Sequence, residues 1–167
     1  MDLYFDKYED SLYHKYIYGS AEVVGLMCLR VFCEGNKEQY ERLKSPAQSL
    51  GSAFQKINFL RDMKSDFDER GRVYFPGVDF KNFTNHDKEL IETDIKKDFD
   101  DAYEGIIRLP EGARFGVYLA YVYYISLFKK IKKATAVKVK EQRIRVPDGK
   151  KFYLLCSSAV KMRLSLL

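Results

Sequence analysis

Between Ser45 and Phe67 the apolar residues recur at helical steps: Leu50, Ala53, Phe54, Ile57, Leu60 and Phe67. That spacing predicts a helix over Ala47 to about Phe67, with Ser45 as its cap and Pro46 at its first position. Its other side reads Gly51, Gln55, Asn58, Asp62 and Asp66, each three or four positions from the last. Amides and carboxylates in a row are unusual on a helix that merely faces water, where mixed charge is the rule. Two carboxylates one turn apart repel unless a cation lies between them, and hard divalent ions such as Mg²⁺ take oxygen ligands of this kind. The pattern predicts a metal-binding helix lining a cavity.

The same reading extends along the chain. A helix is expected from about Ser11 to Cys33; Glu22 and Arg30 inside this apolar run make it a helix buried in protein and not a membrane span. Glu34-Gly35-Asn36 ends it with turn chemistry. Residues 68–86 read as a long functional loop. A third helix is expected from about Asp87 to Leu109, with Ile91, Ile95, Phe99, Ala102 (or Tyr103) and Ile106 as its apolar stripe. Leu109-Pro110-Glu111-Gly112 breaks it, and a tyrosine-rich helix runs from Ala113 to Lys133. A basic linker with Arg143 and Arg145 leads to a last helix over about Lys150–Leu166. The expected architecture is one all-α domain, a bundle of about five helices spanning residues 1–167.

Composition narrows the function. The chain has 167 residues, 46% of them hydrophobic, enough for a real core. The formal charge of +5 is spread over 29 basic and 24 acidic residues that alternate instead of forming a stripe, which disfavours a nucleic-acid binder. Lysines at Lys129–Lys133 suit a helix C-terminus, although they could also draw anionic lipid. Cys28, Cys33 and Cys156 lack zinc spacing; Cys28 and Cys33 lie in an apolar run and read as reduced core cysteines in a cytosolic protein. The first residues lack the pattern of a signal peptide.

Two stretches together resemble a known family. Leu50-Gly51-x3-Gln55-x2-Asn58-Phe59-x-Arg61-Asp62-Met63-x2-Asp66-x5-Arg72-x-Tyr74-x-Pro76 is similar to the second aspartate-rich signature of the squalene and phytoene synthases. Upstream, Tyr16-x4-Ala21-x2-Val24-Gly25 resembles the family's other signature, departing from it at Ile17 and Glu22. The run from Tyr74 to Asp79 looks closest to bacterial phytoene synthases. The resemblance implies an isoprenoid (terpenoid) synthase bundle and a prenyltransferase. Such an enzyme joins two geranylgeranyl diphosphates head to head through a cyclopropyl diphosphate, a step of carotenoid and isoprenoid biosynthesis. A squalene or dehydrosqualene synthase acting on farnesyl diphosphate is the alternative within the family. Outside it, the alternative is a non-catalytic helical interaction module.

Carried over position by position, the resemblance makes Asp62 and Asp66 ligands of Mg²⁺, or of Mn²⁺ in its place. Arg61 becomes a catalytic partner of phosphate or of the aspartates. Gln55 and Asn58 contact diphosphate or metal-bound water, and Tyr16 is a cavity-facing tyrosine. Tyr124 and Arg143 fall where the family places a diphosphate-contacting tyrosine and arginine. The family uses two aspartate-rich motifs on facing helices, and only 61 residues precede Asp62. Asp2, Asp6 and Asp10 have Asp-x3-Asp spacing, but they lie where the family does not place its first motif. The chain is accordingly expected to be the C-terminal part of a longer enzyme. A prenyl diphosphate substrate and a lipid product further imply a cytoplasmic protein working at the inner face of a membrane.

Overall fold

The computed structural model describes residues 10–164, and every regular element within them is helical. Helix α1 (Asp10–Ile17) runs through one π-helical turn (Tyr18–Glu22) into α2 (Val23–Phe32). There follow α3 (Lys37–Arg70), α4 (Asn85–Ile106), α5 (Glu111–Lys133), the short α6 (Ala136–Glu141) and α7 (Asp148–Arg163). The all-α expectation holds. Of the three acids near the start, Asp2 and Asp6 lie outside the described residues, and Asp10 opens α1.

The central helix is longer than its apolar stripe predicts. It starts at Lys37, where the Asn36 side chain accepts from the Gln39 N–H at 3.0 Å, and Pro46 lies inside it. Ser45 is therefore not a cap. Proline in a helix interior removes one backbone hydrogen bond, but its ring here gains a partner. A Cβ placed on Gly105 of α4 would come within 2.3 Å of the Pro46 Cβ, so the two helices touch at that point. At the other end Gly71 takes φ 62° and closes the helix, with Arg72 N–H donating to Asp66 O at 3.1 Å. The loop that follows folds back over the bundle: Tyr74 and Phe75 are buried, and Tyr74 stacks on Phe59 with ring centroids 4.2 Å apart. Thr84 then starts α4 with a capping box. Its hydroxyl accepts from Asp87 N–H, and the Asp87 carboxylate accepts from Thr84 N–H.

The main core lies between α3, α4, α5 and α6. Ala53, Ile57 and Leu60 of α3, Ile95 of α4, and Leu127 and Ile131 of α5 are fully enclosed. A smaller cluster of Leu29, Cys33, Leu43 and Leu109 closes the other end. Helix α6, absent from the sequence reading, belongs to the core through Ala136 and Val139, and Asn85 holds it by accepting from Ala136 N–H at 2.8 Å. Helix α7 packs on α5.

Two expectations about the first helices change. Only one face of α2 is buried: Val24, Met27 and Val31 are 52%, 63% and 72% exposed, and Arg30 lies over the Tyr40 ring in contact with water. Cys33 is a core cysteine, but Cys28 is exposed, five positions away and on another side of the helix. The apolar run marks a helix with one packed face; its continuity in sequence does not say how many faces find a neighbour. No helix among the described residues is long and apolar enough to cross a membrane.

Candidate functional site

Helices α2, α3, α4 and α5 surround an open cavity of about 580 Å³ with an almost wholly apolar lining. Small residues make the room: Gly25 and Ala21 on one wall, Gly51 and Ala47 on the next, Gly112, Gly116 and Ala120 on α5. Gly25 and Gly51 also let backbones meet, since a Cβ on either would lie 2.8 Å from a carbonyl oxygen of the facing segment. Leu29, Phe32, Leu43 and Leu109 line it where the smaller core begins. The polar lining includes Asn58 and Tyr124, joined to each other, with the tyrosine hydroxyl donating to Asn58 Oδ1 at 3.2 Å. Tyr124 is held in place by stacking on Phe54, centroids 3.9 Å apart.

From Asn58 the polar face of α3 continues one turn to Asp62 and another to Asp66, because 3.6 residues complete a turn. Asp62 is the meeting point of two arginines. Arg61, its neighbour in sequence, donates from Nε and Nη2, and Arg143 forms an ion pair with it, its Nε 2.8 Å from Asp62 Oδ1. The carboxylate hydrogen-bonded to Arg61 holds that guanidinium in its charged form more firmly than usual, outweighing the cost of its partial burial. Arg143 comes from far along the chain. The extended segment after α6 is tied down by buried Val146 and by Lys130, whose ammonium donates to Arg145 O at 2.9 Å. Those contacts bring Arg143 alongside α3 at Asp62.

Asn58 and Tyr124 thus line the cavity, and the ion-paired Arg61, Asp62 and Arg143 lie about one turn further along α3, so that polar groups mark one rim of the apolar space. Asp66 and Gln55 lie half-buried on the same helix. Tyr16 does not line the cavity. Its ring packs on Phe59 and Tyr74, 5.7 and 5.4 Å away, at the side of α3 where the loop folds back. Tyr74 belongs to that same aromatic stack. Among the described residues no three His, Cys, Asp or Glu side chains converge into a metal-ion cluster.

A model of the squalene/phytoene synthase family matches residues 1–150. The chain belongs to that family. It is 32% identical to the 15-cis-phytoene synthase of Synechocystis sp. over 179 aligned positions, which take in 93% of this chain and 52% of the relative. It is 30% identical to phytoene synthase 1, chloroplastic, of Solanum lycopersicum over 78% of this chain and 36% of the relative. With phytoene synthase 1, chloroplastic, of Zea mays the identity is 31%, over 87% of this chain and 39% of that protein. The chain therefore spans about half, or less, of the length of these curated relatives. Residues 1–150 include the cavity walls and every member of the polar group at its rim.

This squalene/phytoene synthase family member also holds a buried ionic group that the sequence reading passed over. Lys56 of α3 is 5% exposed and donates to Asp94 Oδ2 at 2.5 Å and Asp98 Oδ2 at 2.7 Å on α4. Burial opposes its charge, yet the two carboxylates more than compensate and raise its pKa. A signal was available. Lys56 falls in the apolar stripe of Ala53, Leu60 and Met63, and Asp94 and Asp98 are one turn apart on another helix. Lys88 and Glu92 form a second buried pair on α4, and Lys88 also reaches Lys132 O of α5 at 3.5 Å. The Lys56 group ties α3 to α4, and Lys88 ties α4 to α5.

Proposed function

We propose that the chain acts in a phytoene synthase-type prenyltransferase that condenses two geranylgeranyl diphosphates head to head in carotenoid biosynthesis. The observation that carries this reading is the junction of an apolar cavity with a carboxylate, amide and guanidinium group at its rim. A prenyl diphosphate has that same division, a long hydrocarbon and a compact anion. The cavity volume of about 580 Å³ lies within the range of about 300–1,000 Å³ usual for small-molecule sites.

In this reading the lining of α2, α4 and α5 holds the hydrocarbon and keeps water from a developing carbocation. The aromatic ring of Tyr124 faces the same space and offers its π-electrons to a cation. Arg61 and Arg143, which neutralise Asp62, turn to the diphosphate oxygens when substrate arrives, since guanidinium forks pair well with phosphate. Asn58 and Gln55 orient the diphosphate or its bound water.

The donor set fits Mg²⁺. Asp62 and Asp66 are hard oxygen ligands one turn apart, and Mg²⁺ commonly takes one or two carboxylates while keeping waters and substrate phosphate. Asp62 and Asp66 would hold the ion, which would supply the charge neutralisation that lets diphosphate leave. With two carboxylates on this helix, the chain furnishes one wall of a two-motif clamp, and a facing helix carrying the family's first motif completes the enzyme.

A purified sample would be mixed with Mg²⁺ and a non-hydrolysable geranylgeranyl diphosphate analogue, followed by thermal shift. The wild-type chain is expected to be stabilised only when both are present, and Asp62→Ala is expected to lose the effect. No Mg²⁺-dependent shift in the wild type would favour the non-catalytic interaction module instead. With labelled geranylgeranyl and farnesyl diphosphates, the assembled enzyme is expected to release phytoene from the first; squalene or dehydrosqualene from the second alone would transfer the assignment to that branch.

A further inference from the structure

Between α1 and α2 the chain makes one π-helical turn, Tyr18–Glu22, in which Val23 N–H reaches back five residues to Tyr18 O. Such turns are rare and concentrate at functional sites. This one is in backbone contact with α3. A Cβ on Gly51 would lie 2.8 Å from Ala21 O and 3.1 Å from Glu22 Cα. Ser20 and Ala21 of the turn, and Gly25 just beyond it, line the apolar cavity; Glu22 does not. Its side chain is instead half-buried against α3, where Gln48 Nε2 donates to Glu22 Oε2 at 3.2 Å.

Gln48 begins a polar row on α3 that continues one turn at a time through Ser52 and Lys56. Lys56 of that row already holds Asp94 and Asp98. Burial pushes the Glu22 carboxyl pKa up, and Asp98 of α4 pushes it the same way; the bond from Gln48, Lys56 of α3 and His14 of α1 oppose them. A half-buried carboxylate close to another is unfavourable unless a donor compensates it. Gln48 is that donor. Glu22 is also one of the two positions at which this stretch departs from the family signature, so the common pattern does not account for the contact.

We infer that Glu22 is a positioning residue: paired with Gln48, it holds the π-helical turn on α3 and so fixes the wall that Ser20, Ala21 and Gly25 present to the apolar cavity. The inference rests on the reading of that cavity as the seat of the prenyl hydrocarbon. Glu22 itself touches neither hydrocarbon nor diphosphate. It acts through the backbone of the turn, because Ala21 stays against Gly51 only while the next residue is tied to α3.

The test uses the full chain in EDTA with geranylgeraniol, which has the hydrocarbon without the diphosphate, so that the cavity is read apart from the carboxylates of α3. Binding of the radiolabelled alcohol is measured by equilibrium dialysis at about pH 8 and about pH 5, on either side of the pKa that two facing carboxylates share. The variants are Glu22→Ala, Gln48→Glu and the exchange Glu22→Gln/Gln48→Glu, and circular dichroism checks that each is folded. At about pH 8, Glu22→Ala and Gln48→Glu are each expected to bind at least about threefold more weakly than wild type, a modest coupling for one hydrogen-bonded group. The exchange again sets an amide against a carboxylate and is expected to return to within about threefold of wild type. At about pH 5, Gln48→Glu is expected to recover relative to wild type, since one carboxyl is then protonated and donates to the other, whereas Glu22→Ala stays weak. A general loss of stability would produce neither the recovery by exchange nor the recovery by acid. Binding by Glu22→Ala within about threefold of wild type at pH 8 overturns the inference, as does an exchange variant as weak as Gln48→Glu. Failure of the wild type to bind geranylgeraniol overturns the reading of the cavity and this inference together, whereas wild-type binding with unchanged variants overturns this inference alone.

Discussion

Replacing Lys56 with methionine keeps the volume of the side chain and removes its charge. In the native structure that ammonium is 6% exposed and holds two carboxylates, Asp98 at 17% and Asp94 at 54% exposure. Removing one partner of a buried ion pair typically costs about 3–5 kcal/mol, because the other charge is left without compensation. Asp94 is half in water and can rehydrate, so a loss of about 2–4 kcal/mol is expected here. The remaining charge also sets a pH dependence. Burial raises the Asp98 pKa and Asp94 raises it further, while Lys56 opposes both. Without Lys56 the folded-state pKa moves further above the unfolded value of about 4. The destabilisation is therefore full above that raised pKa and fades as pH falls through it toward the unfolded value. Urea unfolding followed by circular dichroism at about pH 8 and about pH 4.5 would measure both effects. Replacing all three groups, as Lys56→Met/Asp94→Asn/Asp98→Leu, is expected to recover most of the loss, since an apolar substitute removes the uncompensated charge. A loss in Lys56→Met below about 0.5 kcal/mol, the size of an ordinary surface change, would refute the reasoning. So would an equal loss at both pH values.

Gly105→Ala places a methyl group 2.3 Å from the Pro46 ring, which cannot rotate away; a loss of about 1–3 kcal/mol is expected, read as a fall in melting temperature. Thr84→Ala removes the cap of α4 and should cost about 1 kcal/mol in urea unfolding. The Thr84 hydrogen bonds lower the Asp87 pKa, so the wild type keeps this contribution above the unfolded pKa and loses it as pH falls through the folded one, whereas the variant, which keeps only the bond from the backbone N–H, shows a smaller acid-side step. Ala120→Phe fills part of the cavity, and is expected to weaken binding of a geranylgeranyl diphosphate analogue by roughly tenfold, measured by calorimetry with Mg²⁺, while leaving helical content unchanged.

The sequence by itself determined the all-α class, most of the helices and the face of α3 that carries the chemistry. Periodicity is a property of neighbouring residues, so Asn58, Asp62 and Asp66 could be placed on one stripe, and Ile95, Phe99 and Ile106 on another, without knowing what they meet. The family resemblance rested on the same local text. Tertiary structure decided what lies opposite each face. Arg143 reaches Asp62 because a segment after α6 is pinned by Val146 and Lys130, contacts that no local pattern encodes. Pro46 reads as a helix start, yet the Asn36 cap lies upstream and Gly105 of another helix receives its ring. Tyr16 matches a family signature, but its ring meets Phe59 and Tyr74 and not the cavity, because the loop after α3 folds back on that side. Lys56 stands in the apolar stripe of α3, but only the register of α4 brings two aspartates to it. A helix fixes the angles between its own side chains; only packing fixes which of them share a space with residues far along the chain.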